Sequence, residues 1–84
     1  MWELVFHAQA ADFAATRRGP ASRSLRVALQ ALENHPLSDT DAYCRGESGR
    51  PHHVRHTPEF TIIFWVEPVV KEVRIVEISV RQQG

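Results

Sequence analysis

The segment His52–Val66 reads HHVRHTPEFTIIFWV, and it decides most of what the sequence says about the fold. A short strand rich in imidazole, His52–His56, precedes the turn residues Thr57-Pro58-Glu59 and an apolar strand, Phe60–Val66. A proline-containing turn followed by β-branched and aromatic residues is typical of a hairpin. Val70–Val80 has the composition of a further strand. The sequence therefore predicts three strands joined by short turns, which makes them antiparallel.

The start of the chain predicts one strand and one helix. Trp2–Phe6 alternates apolar and polar residues except at Val5, as a strand covered on one face does. The alanine-rich run from Ala8 to Arg17 favours a helix, and Gly19-Pro20 interrupts it.

A second helix is predicted after this break, with Ser22 or Ser24 as its cap. Its apolar residues follow helical spacing, and they are Leu25, Ala28, Leu29 and Leu32. Asn34-His35-Pro36 ends it, because the residue before a proline avoids the helical conformation. Residues 37–51 show no period and are predicted to form a loop.

The predicted order is strand, helix, helix, loop and three strands, in a single domain spanning residues 1–84. This is an α+β fold, a small antiparallel sheet packed on a helical hairpin. In the apolar strand, one face carries Phe60, Ile62, Phe64 and Val66, and the other carries Thr61, Ile63 and Trp65. Apolar residues on both faces indicate a central strand.

Composition narrows the classes of function. The net charge is zero, which argues against a protein that binds nucleic acid by bulk electrostatics. Nine of the ten basic residues are arginine, whose planar guanidinium suits phosphate contacts. The single cysteine, Cys44, excludes an intramolecular disulfide framework. No apolar run reaches the roughly 20 residues of a membrane span, and Met1-Trp2-Glu3 begins no signal peptide, so we expect a cytoplasmic protein.

Three segments resemble the RelE/ParE superfamily of bacterial type II toxins. They are the opening strand Trp2–Phe6 leading into a helix, the helix end Ala31–Pro36, and Val54–Phe64, which is similar to the family's "leucine-arginine, short turn, tyrosine-arginine-x-x-tyrosine" signature. The last strand, Val73–Arg81, with its trailing arginine, is similar to the family's closing strand. The resemblance spans nearly the whole chain and implies the order β-α-α-β-β-β.

The resemblance implies a toxin that is neutralised by a cognate antitoxin. One branch of the family cuts messenger RNA on the ribosome without a metal, by promoting attack of the ribose 2′-hydroxyl on the adjacent phosphate. The other branch poisons DNA gyrase. This chain has Thr61 where the family often has arginine, and Phe60 and Phe64 where it has tyrosines. The sequence leaves three alternatives open: a RelE-like mRNA endoribonuclease, a ParE-like gyrase-binding toxin, and a degenerate member that binds only its antitoxin.

Arg55 matches the arginine of the family's second-strand motif, and Arg81 matches its terminal-strand basic residue. The resemblance therefore implies that both hold the scissile phosphate. His53, two residues before Arg55, is the candidate for proton transfer. If Val54 packs under the helices, alternation places His53, Arg55 and Thr61 together on the opposite, groove-like face. A solvated strand face is the competing interpretation of the same pattern.

The remaining candidates concern binding. Arg45 and Arg50 lie in the predicted loop, where contacts with RNA phosphates are natural. Ile63 and Trp65 are expected to form an apolar patch for the antitoxin if the sheet leaves that face exposed. No metal and no cofactor is expected, because His52 and His56 are about 13 Å apart along an extended strand and His53 points the other way.

Overall fold

The computed structural model describes residues 2–36, 42–45 and 51–81, and of residues 42–45 only the backbone. Its elements are β1 (Glu3–Phe6), α1 (Ala8–Thr16), α2 (Gly19–Asn34), β2 (Ala42–Arg45), β3 (Pro51–His56), β4 (Phe60–Glu67) and β5 (Glu72–Val80). The predicted α+β class and the predicted order of elements are confirmed. Neither described helix is long and apolar enough to cross a membrane.

The described strands form one sheet in the order β1-β5-β4-β3-β2. The three predicted strands of the second half are antiparallel neighbours, as expected, and β4 is central. β1 joins the edge of the sheet parallel to β5. β2 lies at the other edge, antiparallel to β3, within the segment that the sequence predicts to be a loop. The prediction of a loop for all of residues 37–51 is therefore wrong at Ala42–Arg45 and at Pro51, and residues 37–41 and 46–50 lie outside the described residues.

The second helix begins earlier than predicted. Gly19 has a positive φ of 65°, which glycine adopts without steric cost, and Pro20 occupies the first turn, where its missing N–H needs no partner. The break at Gly19-Pro20 thus forms the first turn of α2. Ser22 and Ser24 lie inside the helix and do not cap it. The Ser24 hydroxyl instead donates a hydrogen bond of 2.8 Å to the Glu59 carboxylate, which ties α2 to the β3–β4 turn.

The core lies between the helices and one face of the sheet. Its buried side chains are Ala10, Leu25, Ala28, Leu32, Phe60, Ile62, Phe64, Val73, Ile75 and Ile78. The even-numbered apolar residues of β4 therefore face the helices, as the alternation predicts. We call the opposite face of the sheet the open face.

The register of β4 with β5 shifts by one residue near the middle of the pair. Phe64 lies opposite Ile75, but Ile63 lies opposite Glu77, so Val76 is the extra residue of a β-bulge. The bulge keeps Ile75 and Ile78 on the helix side and places Glu77 with Ile63 on the open face.

Candidate functional site

His53 and Arg55 lie on the helix side of the sheet. In an antiparallel pair, residues directly opposite each other share a face, and His53 lies opposite Phe64 while Arg55 lies opposite Ile62. Val54 lies opposite Ile63 on the open face. The condition from which the groove-like face was inferred, Val54 packed under the helices, is therefore not met. His53 and Arg55 do share a face, as predicted, but Thr61 is on the other one.

His53 packs on the aromatic core. Its imidazole stacks on the Phe64 ring, with centroids 5.2 Å apart and planes at 19°. Burial lowers the pKa of His53 from its ordinary value of 6.5, and the neighbouring His52 lowers that pKa further. His53 is therefore neutral at neutral pH, the form that a general base needs, but burial also makes it a weaker base.

The lowered pKa of His53 makes stability depend on pH. The unfolded chain binds this proton more tightly than the folded chain, so the free energy of unfolding falls as the pH drops below about 6.5 towards the folded pKa. We expect His53→Phe to remove this part of the loss. The check is urea unfolding of both proteins between pH 8 and pH 5. The two proteins have the same carboxylates, so the difference between their free energies of unfolding reports His53 alone. Parallel curves for the two proteins would contradict the assignment.

Arg81 lies directly after β5 and binds the β3–β4 turn. Its guanidinium Nη1 donates to the Thr57 carbonyl oxygen at 3.1 Å, and its backbone N–H donates to the Glu59 carbonyl oxygen at 2.8 Å. The Thr57 hydroxyl closes the same turn by accepting from the Phe60 N–H at 2.8 Å. Thr57 is two residues beyond Arg55, about 7 Å along an extended strand. The two candidate arginines thus belong to the same end of the sheet.

His56 is a functional candidate that the sequence alone did not single out. It lies opposite Thr61 on the open face, and its Nδ1 is 3.0 Å from the Thr61 Oγ1. The signal lies in the turn length. The Thr57 N–H donates to the Phe60 carbonyl oxygen at 2.8 Å, so Pro58-Glu59 forms the turn between them. The register that continues from Thr57 and Phe60 sets His56 beside Thr61.

The two arginines proposed to bind RNA are described unequally. Arg45 ends β2, and its backbone lies opposite Pro51 at the start of β3. The predicted loop position of Arg45 is therefore a strand position at the sheet edge. Arg50 lies outside the described residues, so its role stays a prediction.

Ile63 and Trp65 lie on the open face, as the alternation predicts. Both are half-buried, and the Arg74 guanidinium lies 5.4 Å from the Trp65 ring centroid. Arg74 also forms an ion pair of 2.7 Å with Glu72. This part of the open face combines apolar area with fixed charges, which is typical of a protein-binding surface.

The histidines of β3 do not form a metal site with the other residues whose side chains are described. In that part of the chain, no group of three or more histidine, cysteine, aspartate or glutamate residues is arranged to hold a metal ion. His52 and His56 alternate with His53 along the strand, and His52 is 9% exposed.

The architecture corresponds to solved toxin structures along its full length. The isolated E. coli RelE toxin superposes with a TM-score of 0.77 at 12% identity, covering 100% of this chain and 88% of that one. The chain has the RelE fold. An archaeal RelE–RelB complex from Pyrococcus horikoshii gives a TM-score of 0.71 at 15% identity, covering 99% and 98% of the two chains. The RelBE2 toxin–antitoxin complex of Mycobacterium tuberculosis gives 0.70 at 14% identity, covering 95% and 98%.

No protein-family model matches the chain, and no curated protein matches it. The resemblance to RelE/ParE toxins predicted from sequence is therefore confirmed as a RelE fold, at identities too low for the comparison to assign an activity.

Proposed function

We propose that this protein is the toxin of a type II toxin–antitoxin pair and acts as a RelE-like, ribosome-dependent mRNA endoribonuclease in the cytoplasm. The observation that carries the proposal is a RelE fold over the full chain, with Arg55 and Arg81 at the same end of the sheet.

The chemistry of the candidate residues supports phosphodiester cleavage. Attack of the ribose 2′-hydroxyl on phosphorus builds negative charge on the phosphate oxygens, and guanidinium groups stabilise that charge through paired N–H donors. Arg55 and Arg81 supply two such groups. An imidazole from β3 supplies proton transfer, which contributes about 10²–10⁴-fold in enzymes that use it.

The open face supports the antitoxin part of the proposal. Two of the solved structures with this fold are complexes of a toxin with its antitoxin. In this chain Ile63 and Trp65 form the apolar part of the open face, with Arg74 and Glu72 beside them. We propose that the antitoxin covers this area. The apolar side chains of the antitoxin would then contact Ile63 and Trp65.

A ParE-like toxin that binds DNA gyrase is the second candidate. The net charge of zero favours the gyrase-binding toxin, because a protein that binds RNA mainly through its phosphates gains affinity from excess positive charge. A degenerate protein that binds only its antitoxin has the same support. One experiment separates all three.

We expect induced expression to arrest growth by stopping translation, and we expect Arg55→Ala to relieve the arrest. The measurement follows incorporation of labelled amino acid and labelled thymidine separately. Arg26→Ala is the matched control, because Arg26 is an exposed arginine on α2 that lines a pocket with Leu4 of β1 and Ala14 of α1. It should arrest translation like the wild type.

Each of the other outcomes supports a different function. Arrest of replication while translation continues would favour the gyrase-binding toxin. Growth without arrest, from a protein shown by circular dichroism to be folded, would leave only the antitoxin-binding role. Relief by both arginine variants would show that the effect at Arg55 is one of general charge.

A further inference from the structure

The end of the open face at the β3–β4 turn brings together an imidazole, hydroxyl groups and a guanidinium. His56 is exposed, and its Nδ1 lies 3.0 Å from the Thr61 hydroxyl. Ser79 lies opposite Thr61 on the next strand, so it shares the open face. The Arg81 guanidinium binds the carbonyl oxygen of Thr57, the residue after His56. Because Thr57 directly follows His56, this contact holds Arg81 at the same end of β3 as His56.

The hydrogen bond to Thr61 fixes the orientation of the imidazole. When the Nδ1 of a histidine is held by a hydrogen bond, the partner atom decides the tautomer and therefore what the Nε2 can do. If Thr61 accepts from Nδ1–H, the Nε2 is a proton acceptor. Thr61 acts in either tautomer as a positioning residue for His56.

His53 is less suited to the same task. It lies on the opposite face and stacks on Phe64 within the aromatic core. His56 is exposed at the same end of the sheet as Arg81. The residue that stands where the family often has arginine, Thr61, is the one that orients His56.

We propose that His56, positioned by Thr61, is the proton-transfer group of the mRNA cleavage, in place of His53. This inference rests on the proposed function. The imidazole takes the proton of the ribose 2′-hydroxyl while that oxygen attacks phosphorus. The bond from phosphorus to the 5′-oxygen breaks, and the 5′-oxygen takes a proton from water. The hydroxide formed is neutralised by the imidazolium, so protons and charges balance.

The test is the cleavage of mRNA on programmed ribosomes by purified protein, in single-turnover conditions. We expect His56→Gln to lower the cleavage rate constant by about 10²-fold or more. His53→Gln should lower the cleavage rate constant much less. His7→Gln is the control, because His7 is an exposed histidine at the start of α1, outside the candidate site.

Thr61 is tested by a pair of substitutions. Thr61→Val keeps the shape and removes the hydroxyl, and we expect it to lower the rate by about 10-fold, whereas Thr61→Ser should restore most of the rate because the hydroxyl returns. Charged groups around this end of the sheet include Arg81, Glu59 and Glu77, and none of them changes in these variants. A purely structural role for Thr61 would lower the urea midpoint of Thr61→Val, whereas a positioning role lowers the rate while the midpoint stays unchanged.

The outcomes separate this inference from the function on which it rests. Cleavage by the wild type that survives His56→Gln, or that falls more in His53→Gln, overturns the role of His56 and leaves the nuclease proposal standing. Absence of cleavage by folded wild type in the presence of ribosomes and mRNA overturns both. A loss in Thr61→Val that Thr61→Ser does not restore overturns the positioning role.

Discussion

Ile62→Ala is expected to lower the free energy of unfolding by about 2–5 kcal/mol, while Ile63→Ala should lower it by only about 1 kcal/mol. The two residues are neighbours on β4 and the chemical change is identical, so the comparison isolates the face of the sheet. Ile62 is 0% exposed among the core side chains, and its removal leaves a cavity. Ile63 is half-buried on the open face.

Urea unfolding at neutral pH measures both changes, because the midpoint moves with stability when the slope is unchanged. Small domains have a free energy of unfolding of about 5–15 kcal/mol, so the loss expected for Ile62→Ala is a large part of the total. Similar losses in the two variants would show that Ile63 is packed as tightly as the core. That result would also remove the open face as the proposed antitoxin surface.

Ile63→Ala also tests whether the antitoxin binds the open face. If the antitoxin covers Ile63 and Trp65, Ile63→Ala should weaken its binding at least tenfold in a protein that is still folded. Thr61→Ser, a smaller change on the same face, is the matched control for binding. Unchanged affinity in Ile63→Ala would place the antitoxin elsewhere.

The hairpins were predictable because their signals are local. The turn at Thr57-Pro58-Glu59 and the apolar strand Phe60–Val66 together span ten residues, and the core face of β4 follows from a period of two. The RelE-like order of elements follows from the same local patterns.

β2 was not predictable in this way. Ala42–Arg45 is four residues long, and among the described strands it pairs only with β3. A short edge strand of this kind is stabilised by its neighbour and not by its own alternation, so the sequence around it looks like a loop.

The face of β3 that the helices cover could not be predicted, for a related reason. Alternation shows which residues share a face, but it does not show which face the helices cover. Val54 is the apolar residue of β3, yet it lies on the open face, whereas Arg55 is half-buried on the helix side. β3 is next to the edge strand, where the helix side holds a polar residue that a central strand would bury at high cost. The His56–Thr61 contact depends on this register and was missed with it.

Gln9→Ala is expected to lower the free energy of unfolding by about 2 kcal/mol, a large effect for a residue at the surface. The Gln9 side-chain amide donates to the Ile78 carbonyl oxygen at 2.9 Å and accepts from the Ile78 N–H at 3.0 Å. β1 pairs with β5 only as far as Phe6 and Ile75. The amide therefore stands in for a strand residue beyond the end of β1, and its removal leaves two partly buried backbone groups without their partner.

Gln9→Glu is the matched control, since it is nearly isosteric and keeps the acceptor for the Ile78 N–H while it loses the donor. Its carboxylate then faces the Ile78 carbonyl oxygen, so at neutral pH we expect it to be at least as destabilising as Gln9→Ala. Protonation of the introduced carboxylate restores an O–H donor. The difference in free energy of unfolding between Gln9→Glu and the wild type should therefore become smaller below about pH 4. Hydrogen exchange of the Ile78 amide gives the local measurement. It should quicken in Gln9→Ala and stay slow in the wild type, and an equally slow amide in both would show that the side chain does not complete the edge of β5.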